Sequence, residues 1–189
     1  TGAADVGEAM VAHPGIDKIE FIGSGNTAKK VLASAAQSLK RVGLELGGKS
    51  AWVILNDGDM AANVTAATAG MMVNAGQTCS AGSRLLVPSS RMAEAVEAAK
   101  TGAASVTVGD PHKDVGMGPV VSKAQWNIVQ DYIQKGLDEG AELVAGGLGR
   151  PDGLDKGYYV KPTVFVTTND TVIAREEIFG PVLVIIGYD

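Results

Sequence analysis

Cysteine is almost absent from this chain: of 189 residues only Cys79 carries a thiol. One thiol excludes an intramolecular disulfide framework and fits a reducing compartment, so a cytoplasmic location is expected. Histidine is scarce too. His13 and His112 are far apart and no cysteine stands at ligand spacing from either, so no metal site is expected. No run approaches the ~18 consecutive apolar residues of a membrane span. Lys and Arg nowhere cluster, and a net charge of −5 argues against a nucleic-acid partner. The opening TGAADVGEAM has neither the charged start and apolar run of a signal peptide nor an initiator Met.

What is present is globular: 46% hydrophobic residues and 25 glycines, enough apolar material for one large domain or parts of two. Strand-like and helix-like segments alternate. Residues 4–13 read as a helix closed by PG, and KIEFIG (18–23) as a strand. Asn26 to Ser38 is helical in composition, with Val31, Leu32 and Ala35 as its apolar stripe. KRVGLEL (40–46) alternates strictly and is stopped by Gly47–Gly48. SAWVILN (50–56) is a short apolar strand, after which Asp57 or Asp59 caps a helix from about Met60 to Val73. SRLLVP, AELVAGG, YYVKPTVFV and PVLVIIGY supply further strands, with helices over 89–100 and Lys123 to Glu139. Repeated alternation of this kind implies an α/β fold with a largely parallel sheet.

Four places could carry chemistry. Glu45 lies in a strand between two leucines, just before a glycine pair. It is either a solvated strand residue or a carboxylate at the end of a buried strand, where desolvation would raise its pKa toward that of a general base. Cys79 sits in NAGQTCSAGSR among small, turn-forming residues. A structural cysteine is usually a small hydrophobe among large ones, whereas here substrate and backbone donors could reach the sulfur, and the Cys79 N–H could face a developing oxyanion. FIGSGN (21–26) stands at a strand-to-helix junction, where backbone N–H groups can meet a phosphate; Ala28 occupies the place that would complete G-x-G-x-x-G, so a plain tight turn is equally open. REEIFGPV (175–182) is either a helix end with its connection, or a carboxylate for ribose hydroxyls beside an aromatic cover.

Together these pieces resemble the aldehyde dehydrogenase superfamily. LELGGKS (44–50) is similar to its glutamate motif, GQTCSAGSR (76–84) to its cysteine motif, EEIFGPV (176–182) to its cofactor-ribose motif and FIGS (21–24) to its phosphate turn. VGDP, MGPVVS and GYYVKPTVF follow in the family's order. The resemblance implies a three-layer α/β/α fold with a mostly parallel sheet and a partial Rossmann-like segment at the N-terminus. Residues 1–45 would be the C-terminal part of the cofactor-binding domain, and 46–189 a catalytic domain incomplete at its C-terminal end.

The same resemblance implies that Cys79 is the nucleophile and Glu45 the base that activates water. Gly23 and Ser24 would meet the pyrophosphate of NAD or NADP, and Leu46 the carboxamide. Glu177 would hold the nicotinamide ribose, and Phe179 would pack near the nicotinamide ring. The substrate would be a small aldehyde, with Met71, Met72 and Ser80 as entry-tunnel residues, and the parent protein a homodimer or homotetramer. Family members are much longer, so the chain reads as an internal piece, inactive in isolation. Gly25 and Ala28 depart from the commoner Thr and Gly of the phosphate turn. The competing classes are a cofactor-independent thiol esterase or acyltransferase and a non-catalytic assembly domain.

Overall fold

The computed structural model describes residues 2–189. The chain forms two compact units, Thr1–Gly47 and Gly48–Asp189.

The first unit comprises α1 (Ala4–Ala12), β1 (Lys18–Gly23), α2 (Gly25–Ala36) and β2 (Arg41–Leu46). β1 and β2 pair in parallel, from Lys18 opposite Arg41 to Gly23 opposite Leu46. A parallel pair needs a crossover, and α2 supplies it. Ser24 caps α2, its Oγ accepting from the Thr27 N–H at 3.3 Å. After α2 the chain turns through Leu39 at φ 53°, and the Lys40 ammonium donates to the carbonyls of His13 and Ile16 ahead of β1. The core is small: Val11, Val31 and Ala35, with Ile19, Phe21 and Val42 against them. Two strands cannot cover their own faces, so Ile22 is left 77% exposed.

The second unit holds β3 (Ala51–Val53), α3 (Met60–Met71), β4 (Arg84–Pro88), α4 (Met92–Ala104), α5 (Lys123–Asp138), β5 (Glu142–Ala145), β6 (Thr163–Val166), α6 (Val172–Arg175) and β7 (Val182–Tyr188). Its sheet runs β3-β4-β7-β6-β5. All pairs are parallel except β5 with β6. The central β7 reads VLVII with all five residues buried, as expected of a parallel strand covered on both faces. Asp59 caps α3 through the Ala62 N–H at 3.0 Å, and Ser122 caps α5 through the Gln125 N–H at 3.1 Å. The small residues of α3 let α4 approach closely: a Cβ on Gly102 would lie 2.7 Å from the Thr65 carbonyl oxygen.

Several elements are shorter than their apolar runs suggest. β3 ends at Val53 because it is an edge strand and the chain turns at Asn56–Gly58 toward the cap of α3. β6 starts only at Thr163, since Pro162 has no N–H to give to a ladder. α3 stops at Met71, ahead of three consecutive residues with positive φ: Asn74, Ala75 and Gly76. Among the described residues no helix is long and apolar enough to cross a membrane.

Candidate active site

In the first unit, two of the sequence motifs meet at the carboxyl ends of the parallel strands. Gly23 faces Leu46 across the ladder, and Ile22 faces Glu45. Ligands of open α/β sheets sit at this edge. Beside it, the N-terminus of the 12-residue α2 presents first-turn N–H groups, with Ser24 exposed and the space around Gly25 open. Glu45 itself is exposed. Of the two readings of this strand end, the unit shows the solvated one, because β2 is one of only two strands and its outer face is uncovered.

In the second unit, three motifs converge. Cys79 lies in a turn closed by the Ala81 N–H on the Thr78 carbonyl at 3.0 Å, and the residue is exposed. Its N–H donates to no backbone carbonyl among the described residues. The left-handed stretch before it is braced twice over: Asn74 Nδ2 donates to the Gln77 carbonyl at 2.8 Å, and Gln77 Nε2 to the Asn74 carbonyl at 3.0 Å. Gln77 Oε1 accepts from the Val121 N–H at 2.8 Å, anchoring the turn to the segment before α5. Non-glycine residues in the left-handed region cost about 1–2 kcal/mol each, and these bonds offset that cost. Gly76 has φ 68°, and a Cβ there would lie 2.2 Å from the Gly180 carbonyl oxygen. The cysteine motif is thus packed backbone to backbone on the EEIFGPV motif.

Glu177 reaches back from that motif. Its Oε1 accepts from the Gly48 N–H at 3.3 Å, leaving Oε2 uncommitted. Phe179 stands at φ 54° and is 38% exposed. The carbonyls of Ile178 and Phe179 are both held by Gln125 Nε2, at 3.0 and 2.9 Å. Gly48, Thr78, Ala81 and Glu177 through Gly180 line one crevice. Its free space is only about 10 Å³, roughly one water, so the motifs are packed against one another rather than parted by a cavity.

Lys49 was not singled out by the sequence. Its carbonyl accepts from Arg84 Nε at 2.9 Å, while its Nζ is enclosed and makes no hydrogen bond. Burial first, then the Arg84 charge, pushes the ammonium down, against the opposing pull of Glu177 and Glu176, to about 8. A lysine set between a glycine pair and an apolar strand, in GGKSAWVIL, is the signal that could have found it. Met71 and Met72, where α3 ends ahead of the left-handed turn, lie in the interior. They are 4% and 0% exposed and belong to the core, though Met71 also borders the crevice formed with Gly48, Thr78 and Glu177; Ser80 is exposed.

An exposed thiol on a strained turn, packed against a carboxylate-bearing loop of an α/β sheet, defines a candidate thiol site. Comparison with known proteins gives the family. The aldehyde dehydrogenase family model matches residues 1–189. A 3-succinoylsemialdehyde-pyridine dehydrogenase from Pseudomonas sp is 49% identical over 185 residues, covering 97% of this chain and 39% of that protein. The structure of an aldehyde dehydrogenase C variant from Pseudomonas syringae with NAD+ and octanal matches with TM-score 0.97 and 44% identity, over 100% of this chain and 39% of that one. That of a Mycobacterium tuberculosis aldehyde dehydrogenase with NAD+ matches with TM-score 0.95 and 45% identity, over 100% and 39%. This chain belongs to the aldehyde dehydrogenase family. It spans about two-fifths of the length of the relatives it matches.

Proposed function

We propose that the chain is part of an enzyme that oxidises an aldehyde to a carboxylic acid with NAD or NADP, Cys79 being the nucleophile and Glu45 the base. The observation that carries this is the convergence of Gly48, the Cys79 turn and the Glu177–Gly180 loop on one crevice, with Gly76 against Gly180. The first unit would be the tail of the cofactor-binding domain and the second the larger part of the catalytic domain.

The residues present suit a dinucleotide. Gly23 and Ser24 offer an exposed helix N-terminus to a pyrophosphate. The uncommitted Oε2 of Glu177 suits a ribose diol, the exposed ring of Phe179 a flat heterocycle, and the Leu46 backbone a carboxamide. When bound, the nicotinamide supplies the acceptor for the hydride that leaves the substrate carbon.

The thiolate of Cys79 attacks the aldehyde carbon, forming a C–S bond while the carbonyl π pair moves to oxygen. The Cys79 N–H, uncommitted to any backbone carbonyl, donates to that oxyanion. Loss of hydride leaves a thioester on Cys79. Glu45 then takes a proton from water as its oxygen attacks the thioester carbon, and the C–S bond breaks to release the acid and the thiolate. A soft nucleophile for the first step and a separate base for the last divide the work sensibly. Exposure of Glu45 in its unit leaves the carboxylate reachable by water.

In the enzyme that contains this chain, Cys79→Ala should abolish aldehyde-dependent reduction of NAD or NADP. The NAD- and NADP-independent ester hydrolysis of a plain thiol esterase would be lost with it, so both activities are assayed. Normal aldehyde turnover by the variant would overturn the nucleophile assignment. Thiol-dependent ester cleavage with no aldehyde activity in the parent would favour the esterase class.

A further inference from the structure

The most unusual group outside the reaction scheme is the Lys49 ammonium. It is enclosed, has no hydrogen-bond partner, and forms none of the ion pairs among the described residues. Replacing such a group by an apolar one is ordinarily neutral or stabilising. Its backbone is nevertheless fixed in place on both sides. The N–H of the preceding Gly48 holds Glu177 Oε1, the Lys49 carbonyl holds Arg84 Nε, and Arg84 Nη1 donates to Asn169 Oδ1 at 3.2 Å.

We infer that Lys49 is a positioning residue for Glu177, its buried charge holding that carboxylate seated on Gly48 so that its free oxygen can receive the ribose hydroxyls of a dinucleotide. This rests on the ribose role proposed for Glu177. A direct ion pair would fill the lone pairs that a diol needs. An ammonium that acts through a low-dielectric interior stabilises the anion while leaving them open. The charges that act on Lys49 are Arg84 from β4, which lowers its pKa, and Glu177 and Glu176 from the segment after α6, which raise it. Because burial sets the ammonium at about 8, its charge is present below that pH and is lost as pH rises through it. Glu177 then loses its support.

The test is equilibrium binding of NAD+, and separately of NADP+, to the enzyme that contains this chain, over pH 6.5–9.5. Four proteins are compared: Lys49→Met, Glu177→Gln, the double variant and Lys49→Arg. For the dinucleotide bound more tightly, Lys49→Met should raise Kd about tenfold, the size expected of coupled charges in one site. It should add nothing in the Glu177→Gln background. Wild-type Kd should climb as pH passes about 8. Lys49→Arg, permanently charged, should stay flat and near the wild-type value at pH 7, which guards against a mere folding defect. Equal losses from Lys49→Met in both backgrounds, or no loss, with Glu177→Gln itself weakening binding, would overturn the inference alone. No effect of Glu177→Gln would overturn the ribose assignment and the inference with it.

Discussion

Removing the Lys49 charge should stabilise the second unit, and by an amount the structure sets. The ammonium falls from an ordinary 10.5 to about 8 in the folded chain, chiefly through burial. At about 1.4 kcal/mol per pH unit, the folded state holds this proton at a cost of roughly 3 kcal/mol. Between pH 8 and 10.5 the unfolded chain binds a proton that the folded chain has released, so wild-type stability rises with pH across that window. Lys49→Met keeps the stem's length and packing without the charge. At pH 7 it should be the more stable protein by about 3 kcal/mol, a urea midpoint higher by about 1.5 M at a slope near 2 kcal/mol/M. The advantage should close as pH approaches 10.5. Tryptophan fluorescence isolates the effect, because Trp52 and Trp126 both belong to the second unit. An unchanged or lower midpoint at pH 7, or a gain that persists undiminished at pH 10.5, would refute the uncompensated burial of this ammonium. A residue that stabilises when removed and weakens cofactor binding when removed is one kept for function.

Two further outcomes follow from the site. Glu45→Gln in the enzyme should still form the acyl-thiol and release one equivalent of reduced cofactor per site as a burst, followed by a steady state slower by about 10²–10⁴-fold; wild-type turnover in stopped-flow absorbance would remove Glu45 from the base role. Gly76→Ala forces a Cβ to within 2.2 Å of the Gly180 carbonyl oxygen at a φ of 68°. Left-handed strain and overpacking together should cost about 2–5 kcal/mol, a clear fall in the urea midpoint of the second unit; a drop below 1 kcal/mol, on the same scale, would show that the cysteine and EEIFGPV motifs are not packed backbone to backbone.

Much of the architecture is legible along the chain because it is written in short-range pattern. β1 over Lys18–Gly23, the caps at Ser24 and Asp59 and the buried run of β7 each depend on residues within a few positions of one another. Alternation, helical spacing and side-chain-to-backbone caps are local physics, and so is the small-residue setting of Cys79. The motif order, too, is a property of the sequence, and the family follows from it. What local pattern could not determine was the environment of each group. Glu45 proves exposed since its strand has a single neighbour, and Met71 and Met72 point into the core. The Lys49 amine is enclosed, and the charges that act on it, Arg84 and Glu176–Glu177, arrive from far along the chain. The left-handed turn before Cys79 is held by Val121, and Gly76 finds its partner at Gly180. Burial and close approach are sums over distant neighbours, so only the folded chain decided them, and with them the charge and strain available to the site.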